Sequence, residues 1–139
     1  MILTQEIIRA LLTACVFGSI VFFPTVVTPL VHRVLEGDAS APFLRQVFPR
    51  YFLFIVITSG AGTLASWGEP LQATGLLFIC LSTAFLRQIA QPKINAWRDL
   101  EIDGDQVAGA KFRRGHRATI VLNIIQLLIA GGILARIAG

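Results

Sequence analysis

Two histidines, two cysteines, a short acidic run and a few polar residues on otherwise apolar stretches are where this sequence could hold chemistry. His32 and His116 each stand at the edge of an uncharged block, and two imidazoles could ligate haem or copper. Cys15 and Cys80 lie inside apolar blocks and lack the paired spacing of a metal motif, so they read as small core residues. The run Asp99-Leu-Glu101-Ile-Asp103-Gly104-Asp105 imitates the start of a calcium loop. The twelfth position, which must carry a bidentate Glu, is Ala110, and calcium coordination is not expected. At 100° per residue, Gly18, Thr25, Thr28 and His32 fall in one sector of a helix, and His116, Thr119, Asn123 and Gln126 in one sector of another.

What must position these residues follows from where the charges are missing. Of 139 residues, 55% are hydrophobic and only 14% charged, with a mean hydropathy of +0.72. A soluble domain of this size carries roughly 25% charged residues, so a soluble enzyme is excluded. No charge or histidine interrupts residues 10–31, 51–68, 70–86 or 118–135. Each run is within the roughly 17 to 25 residues that a helix needs to cross the hydrocarbon. Their apolar character is continuous rather than alternating, which selects helices over barrel strands. The expected fold is an all-α, integral membrane four-helix bundle, a single domain over 1–139. A lipid-modified Cys15 is not expected, because Glu6 and Arg9 interrupt the region that should be apolar before it and apolar residues follow it. A cleaved signal is not expected either, since the N-terminal side chains carry no net positive charge.

The connections 32–50 and 87–117 hold ten of the twelve basic residues, leaving Arg9 and Arg136 on the other side. Positive residues stay inside, so both connections are expected in the cytoplasm and both termini outside, in a multi-pass cell (inner) membrane protein. Trp67 and Tyr51 suit the two interfacial belts. The net charge of +4 reads as topology and attraction to anionic lipid. Aromatics interleaved with the basic residues are too few for a nucleic-acid partner, for Lys111 to Arg117 offers Phe112 alone.

Small residues at spacing four within the second run, Ser59 with Thr63 and Gly62 with Ser66, predict a packing hub, with Gly18 playing the same part in the first run. Beyond the third run the helix is expected to bend at Pro92 and lie along the inner surface. Pro29-Leu-Val-His32 and Pro92-Lys-Ile-Asn95 hint at a parallel repeat of two hairpins.

Phe17-Gly18-Ser19, Phe48-Pro49-Arg50-Tyr51-Phe52, Pro92-x-x-Asn95-x-x-Arg98-Asp99 and Phe112-x-x-x-His116 with Asn123 seven residues later, in this order, resemble the transmembrane-protein-205-like group, the domain-of-unknown-function family 4149. The resemblance implies a small four-span membrane protein and carries no mechanism.

Three functions are compatible with these readings. The first is an accessory of transport or export. A free-standing ion pump is disfavoured, because the four runs contain no ionisable group of the kind relays use. The second is a structural subunit packing through its small-residue face against a larger membrane partner or a second copy. The alternative is a haem- or copper-binding redox protein using His32 and His116; otherwise no cofactor is expected. Any site is expected in a polar seam shared by the first and fourth helices. Thr25, Thr28, Thr119, Asn123 and Gln126 would line it, His32, His116 and Arg98 would stand at its mouth, and Asn95 would be the counterpart of His32.

The topology is testable by reporter fusion. An enzyme reporter after Gly139 should be active only outside the cytoplasm, and one inserted near Asp103 only inside; a cytoplasmic C-terminus would reverse the assignment.

Overall fold

The computed structural model describes residues 2–36 and 39–139. Among these residues six α-helices follow one another: α1 (Ile2–Phe22), α2 (Thr28–Val34), α3 (Ser40–Ala65), α4 (Pro70–Phe85), α5 (Gln91–Ile102) and α6 (Gln106–Ala138). A wide π-helical turn joins α1 to α2 over Phe23–Val27, and another joins α4 to α5 over Leu86–Ala90, so each pair forms one unbroken rod. Four rods result, Thr4–Val34, Ser40–Ala65, Pro70–Ile102 and Gln106–Ala138, all long and apolar enough to cross a membrane.

The two wide turns have a common cause. In each, the amide of the residue just before a proline reaches back five residues, Thr28 to Phe23 and Gln91 to Leu86. Pro29 and Pro92 lack the N–H that an α-helix would use there, and their rings would press on the carbonyl four residues earlier. A widened turn accommodates both. Residues 23–27 and 86–90 are separated by the same 63 positions as Pro29 and Pro92, which gives the two-hairpin repeat a structural counterpart.

The helices outrun the charge-free blocks. α3 begins at Ser40, ahead of the expected start at 51, and the presumed connection 87–117 is helical on both sides of a short turn. Charged residues such as Arg45, Lys93 and Arg114 are good helix formers once the rod has left the hydrocarbon. A rod of 33 residues is about 50 Å long, against a core of about 30 Å. α5 therefore stays on α6 as a helical hairpin beyond the apolar blocks, rather than bending at Pro92 to lie along the surface. Gly104, at φ +106°, makes its turn, and the Asp105 carboxylate caps α6 by accepting from the Ala108 amide at 3.1 Å. At the other end Gly68, at φ +91°, turns α3 into α4.

One inward stripe per rod builds the core: Val16, Ile20 and Phe23 below Arg9 and Thr13; Tyr51, Phe52, Ile55, Ser59, Gly62 and Ser66; Gln72, Leu76, Ile79, Thr83 and Leu86; and Gln126, Ala130 and Ile133. α3 packs between α1 and α4, and α6 closes the ring against both. Outside it, Ile57, Leu64, Leu81 and Leu128 are exposed, as suits a lipid solvent. Trp67 is 86% exposed at the α3–α4 turn, in keeping with an interfacial belt. Tyr51 is not in a belt: it is buried, stacked on Phe23 with ring centroids 4.3 Å apart.

The small-residue hub is real but internal. A side chain at Gly62 would meet Leu76 of α4 at 3.1 Å and Leu12 of α1 at 3.7 Å. Ser59 and Ser66 are buried beside it, and Thr63 is half-buried. Gly18 does not share this role. It is exposed and a Cβ there meets nothing within 4 Å.

Gly62→Leu should accordingly destabilise the bundle by about 1–3 kcal/mol through overpacking. Gly18→Leu should change stability by no more than about 0.5 kcal/mol. Unfolding in mixed micelles of rising dodecyl sulfate content would measure both.

Candidate functional site

Hydroxyl groups in the spans mostly serve their own helices. Thr13 donates to the Arg9 carbonyl at 2.8 Å, Thr63 to Ser59 at 2.8 Å, Ser66 to Gly62 at 2.7 Å and Thr119 to Gly115 at 3.0 Å. Thr25 does the same to Val21. Such back-bonding removes the donor from inter-helix use. The polar link across the middle of the core belongs to Gln126, 1% exposed, whose amide donates to Ser82 at 2.8 Å and Thr83 at 3.1 Å on α4. Its Oε1 has no hydrogen-bond partner among the described residues.

Gln126 thus faces the interior as expected, but its partners are on the third rod rather than the first. Thr25 is exposed, and Thr28 and Asn123 are half-buried. α2, with His32, packs on α3, whereas His116 on α6 stacks on Phe112 beside α5. Both imidazoles are exposed, and neither makes a hydrogen bond among the described residues. No group of three or more His, Cys, Asp or Glu side chains is placed to hold a metal among the described residues.

At the basic end, α3 is clamped to the second hairpin. Arg45 makes a two-pronged pair with Asp99, at 2.7 and 3.2 Å, and also reaches the Asn95 carbonyl at 3.3 Å. These hydrogen bonds hold the Asp99 carboxyl below its ordinary value. Arg87 donates to the Pro49 carbonyl at 3.0 Å. The Asn95 side-chain oxygen accepts from Gln91 at 3.1 Å. Arg98 pairs with Glu101 at 3.0 Å while its guanidinium lies 5.4 Å from the centre of the Phe112 ring. Phe23, Phe48, Tyr51 and Phe52 form an aromatic cluster under this clamp. Asn95 is therefore held by its own rod and α3, and Arg98 by its own rod and the Phe112 ring of α6.

With that geometry in view, the family can be stated. A family model, the domain of unknown function 4149, matches residues 11–101, well over half of the chain. The chain belongs to that family. As a member it carries the Phe48–Phe52 and Pro92–Asp99 segments inside the matched region, and each receives one arm of the basic-end clamp, Pro49 from Arg87 and Asn95 and Asp99 from Arg45. Phe112, His116 and Asn123 lie beyond it. No curated protein and no solved structure is significantly similar.

The terminal end of the core holds what the sequence reading missed. Arg9, counted there only as a charge outside the membrane, is 5% exposed. It continues the inward stripe of Thr13, Val16, Ile20 and Phe23, and that phase was visible in the sequence. One turn before it, Gln5 donates to the carbonyls of Ala65 and Trp67 at 3.0 and 2.9 Å. Gln5 thus satisfies acceptors that the end of α3 leaves open and fixes α1 beside it. Among the described residues Arg9 Nε has no hydrogen-bond partner and the side chain forms no ion pair, although Glu6 and Glu69 belong to the same end. Gln72 of α4 is 3% exposed in the same half of the core, and its Oε1 also has no hydrogen-bond partner among the described residues.

A double-mutant cycle tests the middle of the core. Gln126→Leu and Thr83→Val should couple by about 0.6 kcal/mol, with a ceiling near 1.7 kcal/mol, the range for side-chain hydrogen bonds between membrane helices. A coupling indistinguishable from zero in unfolding experiments would show that the contact contributes nothing.

Proposed function

We propose that this protein is an accessory of transport or export in the cell (inner) membrane, and that it holds an anionic group on Arg9 at the non-cytoplasmic end of its core. The observation that carries the reading is an arginine only 5% exposed whose Nε is buried without a partner and which has no acid paired to it among the described residues. An ionisable side chain inside a membrane bundle is expensive and is usually retained for function. Five donors in a planar fork match carboxylate or phosphate oxygens. Long helical side chains lean toward the N-terminus of their helix, so the guanidinium is directed to the Gln5 layer and the terminal end, from which a ligand would enter. The unmatched acceptor of Gln72 suits a ligand that also offers a donor.

The structural-subunit reading has less support. The small-residue face on which it rested is filled by Leu76 and Leu12 of the same chain. The haem or copper reading rests on two histidines carried by α2 and α6, and no observation adds to it.

Arg9→Gln separates ligand binding from structure. Purified protein in a mild detergent is unfolded in inorganic phosphate, sulfate, acetate or chloride at equal ionic strength. The parent should gain about 2.7 kcal/mol at an anion concentration 100 times its Kd. Arg9→Gln should lose that gain and be at least as stable as the parent without anion, since it no longer buries an uncompensated charge. A large loss of stability in Arg9→Gln, with no anion effect on the parent, would make Arg9 a structural residue and overturn the proposal.

A further inference from the structure

The opposite, basic end carries a second feature, independent of Arg9. Where the α4–α5 rod meets α6, a groove of about 260 Å³ opens to the outside of the bundle. Its inner portion is walled by Phe85, Ile89 and Leu122, and its outer portion by Lys93, Trp97 and Thr119. Phe85 and Leu122 lie within the charge-free blocks 70–86 and 118–135, whereas Lys93 and Trp97 lie past them. The groove therefore runs from hydrocarbon depth to the headgroup layer. Its floor is set by Gly115, where a Cβ would come within 3.0 Å of Ile94 and 3.2 Å of Trp97.

We propose that this groove is a binding site for one anionic phospholipid, with an acyl chain along Phe85, Ile89 and Leu122 and the phosphate at Lys93. Charge complementarity selects the occupant. No acidic residue lines the groove, and Lys93 makes no ion pair among the described residues. The exposed Arg114 and Arg117 of α6, close in sequence to Gly115, add to the positive field and are also without ion pairs there. An indole beside a lysine at the end of an apolar block is the usual anchor of the headgroup layer. The groove opens sideways into the bilayer, so its occupant comes from the lipid itself. Thr119 adds no donor, for its hydroxyl is held by the Gly115 carbonyl.

Trp97 reports on the site directly. In a Trp67→Phe background it is the sole tryptophan, because Trp67 stands at the far end of the bundle. The protein is reconstituted in phosphatidylcholine vesicles doped with phosphatidylglycerol brominated on its acyl chains or, in parallel, with phosphatidylcholine so brominated. Brominated phosphatidylglycerol should reach half-maximal quenching at about a fivefold lower mole fraction, the ratio that one interfacial cation supplies. Lys93→Gln should bring the ratio to about one, and Arg33→Gln, at the same end on α2, should leave it unchanged. Ala118→Leu, an exposed position in the groove wall, should reduce quenching by both lipids. Equal quenching by the two lipids would overturn the site. So would selectivity that survives Lys93→Gln, or that falls equally with Arg33→Gln, which would mark diffuse surface attraction in place of a bound lipid.

Discussion

Apolar helices in a bilayer gain nothing by hiding from lipid, so this bundle depends on how closely its helix backbones can approach. Gly62 admits Leu76 and Leu12 at α3, and Gly75 of α4 faces Ile129 and Ile133 of α6, where a Cβ would come within 3.0 Å of both. With these contacts α3 and α4 lie together along the middle, α1 is held to α3, and α6 closes the ring. The polar arrangement follows from the same constraint. Hydroxyls turned onto their own helices let neighbours approach as smooth surfaces, while the Gln126 amide reaches across to α4 and the Cys80 thiol of α4 donates to the Val56 carbonyl of α3 at 3.5 Å.

The elements legible in the sequence were those governed by solvent. Four charge-free blocks of spanning length gave four membrane rods, because the cost of charge in hydrocarbon is large and local. The rod ends were not legible by that rule. Lys93, Arg113 and Arg114 mark where the membrane stops, while the helix continues through them, since water and helical geometry are compatible. Tyr51 was misassigned for a related reason: an aromatic at the edge of a block fits an interface or a stack on Phe23 equally well, and only the partner decides.

The candidate site divides in the same way. An amide in an apolar span must turn inward, so the burial of Gln126 could be read from the sequence, but its choice of α4 over α1 depends on the order of helices around the ring, which periodicity does not encode. Arg9 was hidden by a counting rule that treats a positive residue at the edge of a run as a topology marker. Its phase with Thr13, Val16 and Ile20 carried the contrary information. At the basic end, Arg45, Asn95 and Asp99 lie on rods distant in sequence, and no spacing rule could have paired them.

The two wide turns have a consequence for how this chain can change in length. A π turn is an α-helix with one residue too many, absorbed locally so that the faces before and after it keep their directions. Loss of one residue within 23–27 or 86–90 would restore an ordinary turn and leave both stripes aimed at the core, provided the proline is relieved in the same step. Elsewhere in a span the same loss swings everything beyond it by about 100° and exchanges core for lipid. The twin turns are thus the points at which either hairpin tolerates a deletion, and they stand at the same place in each.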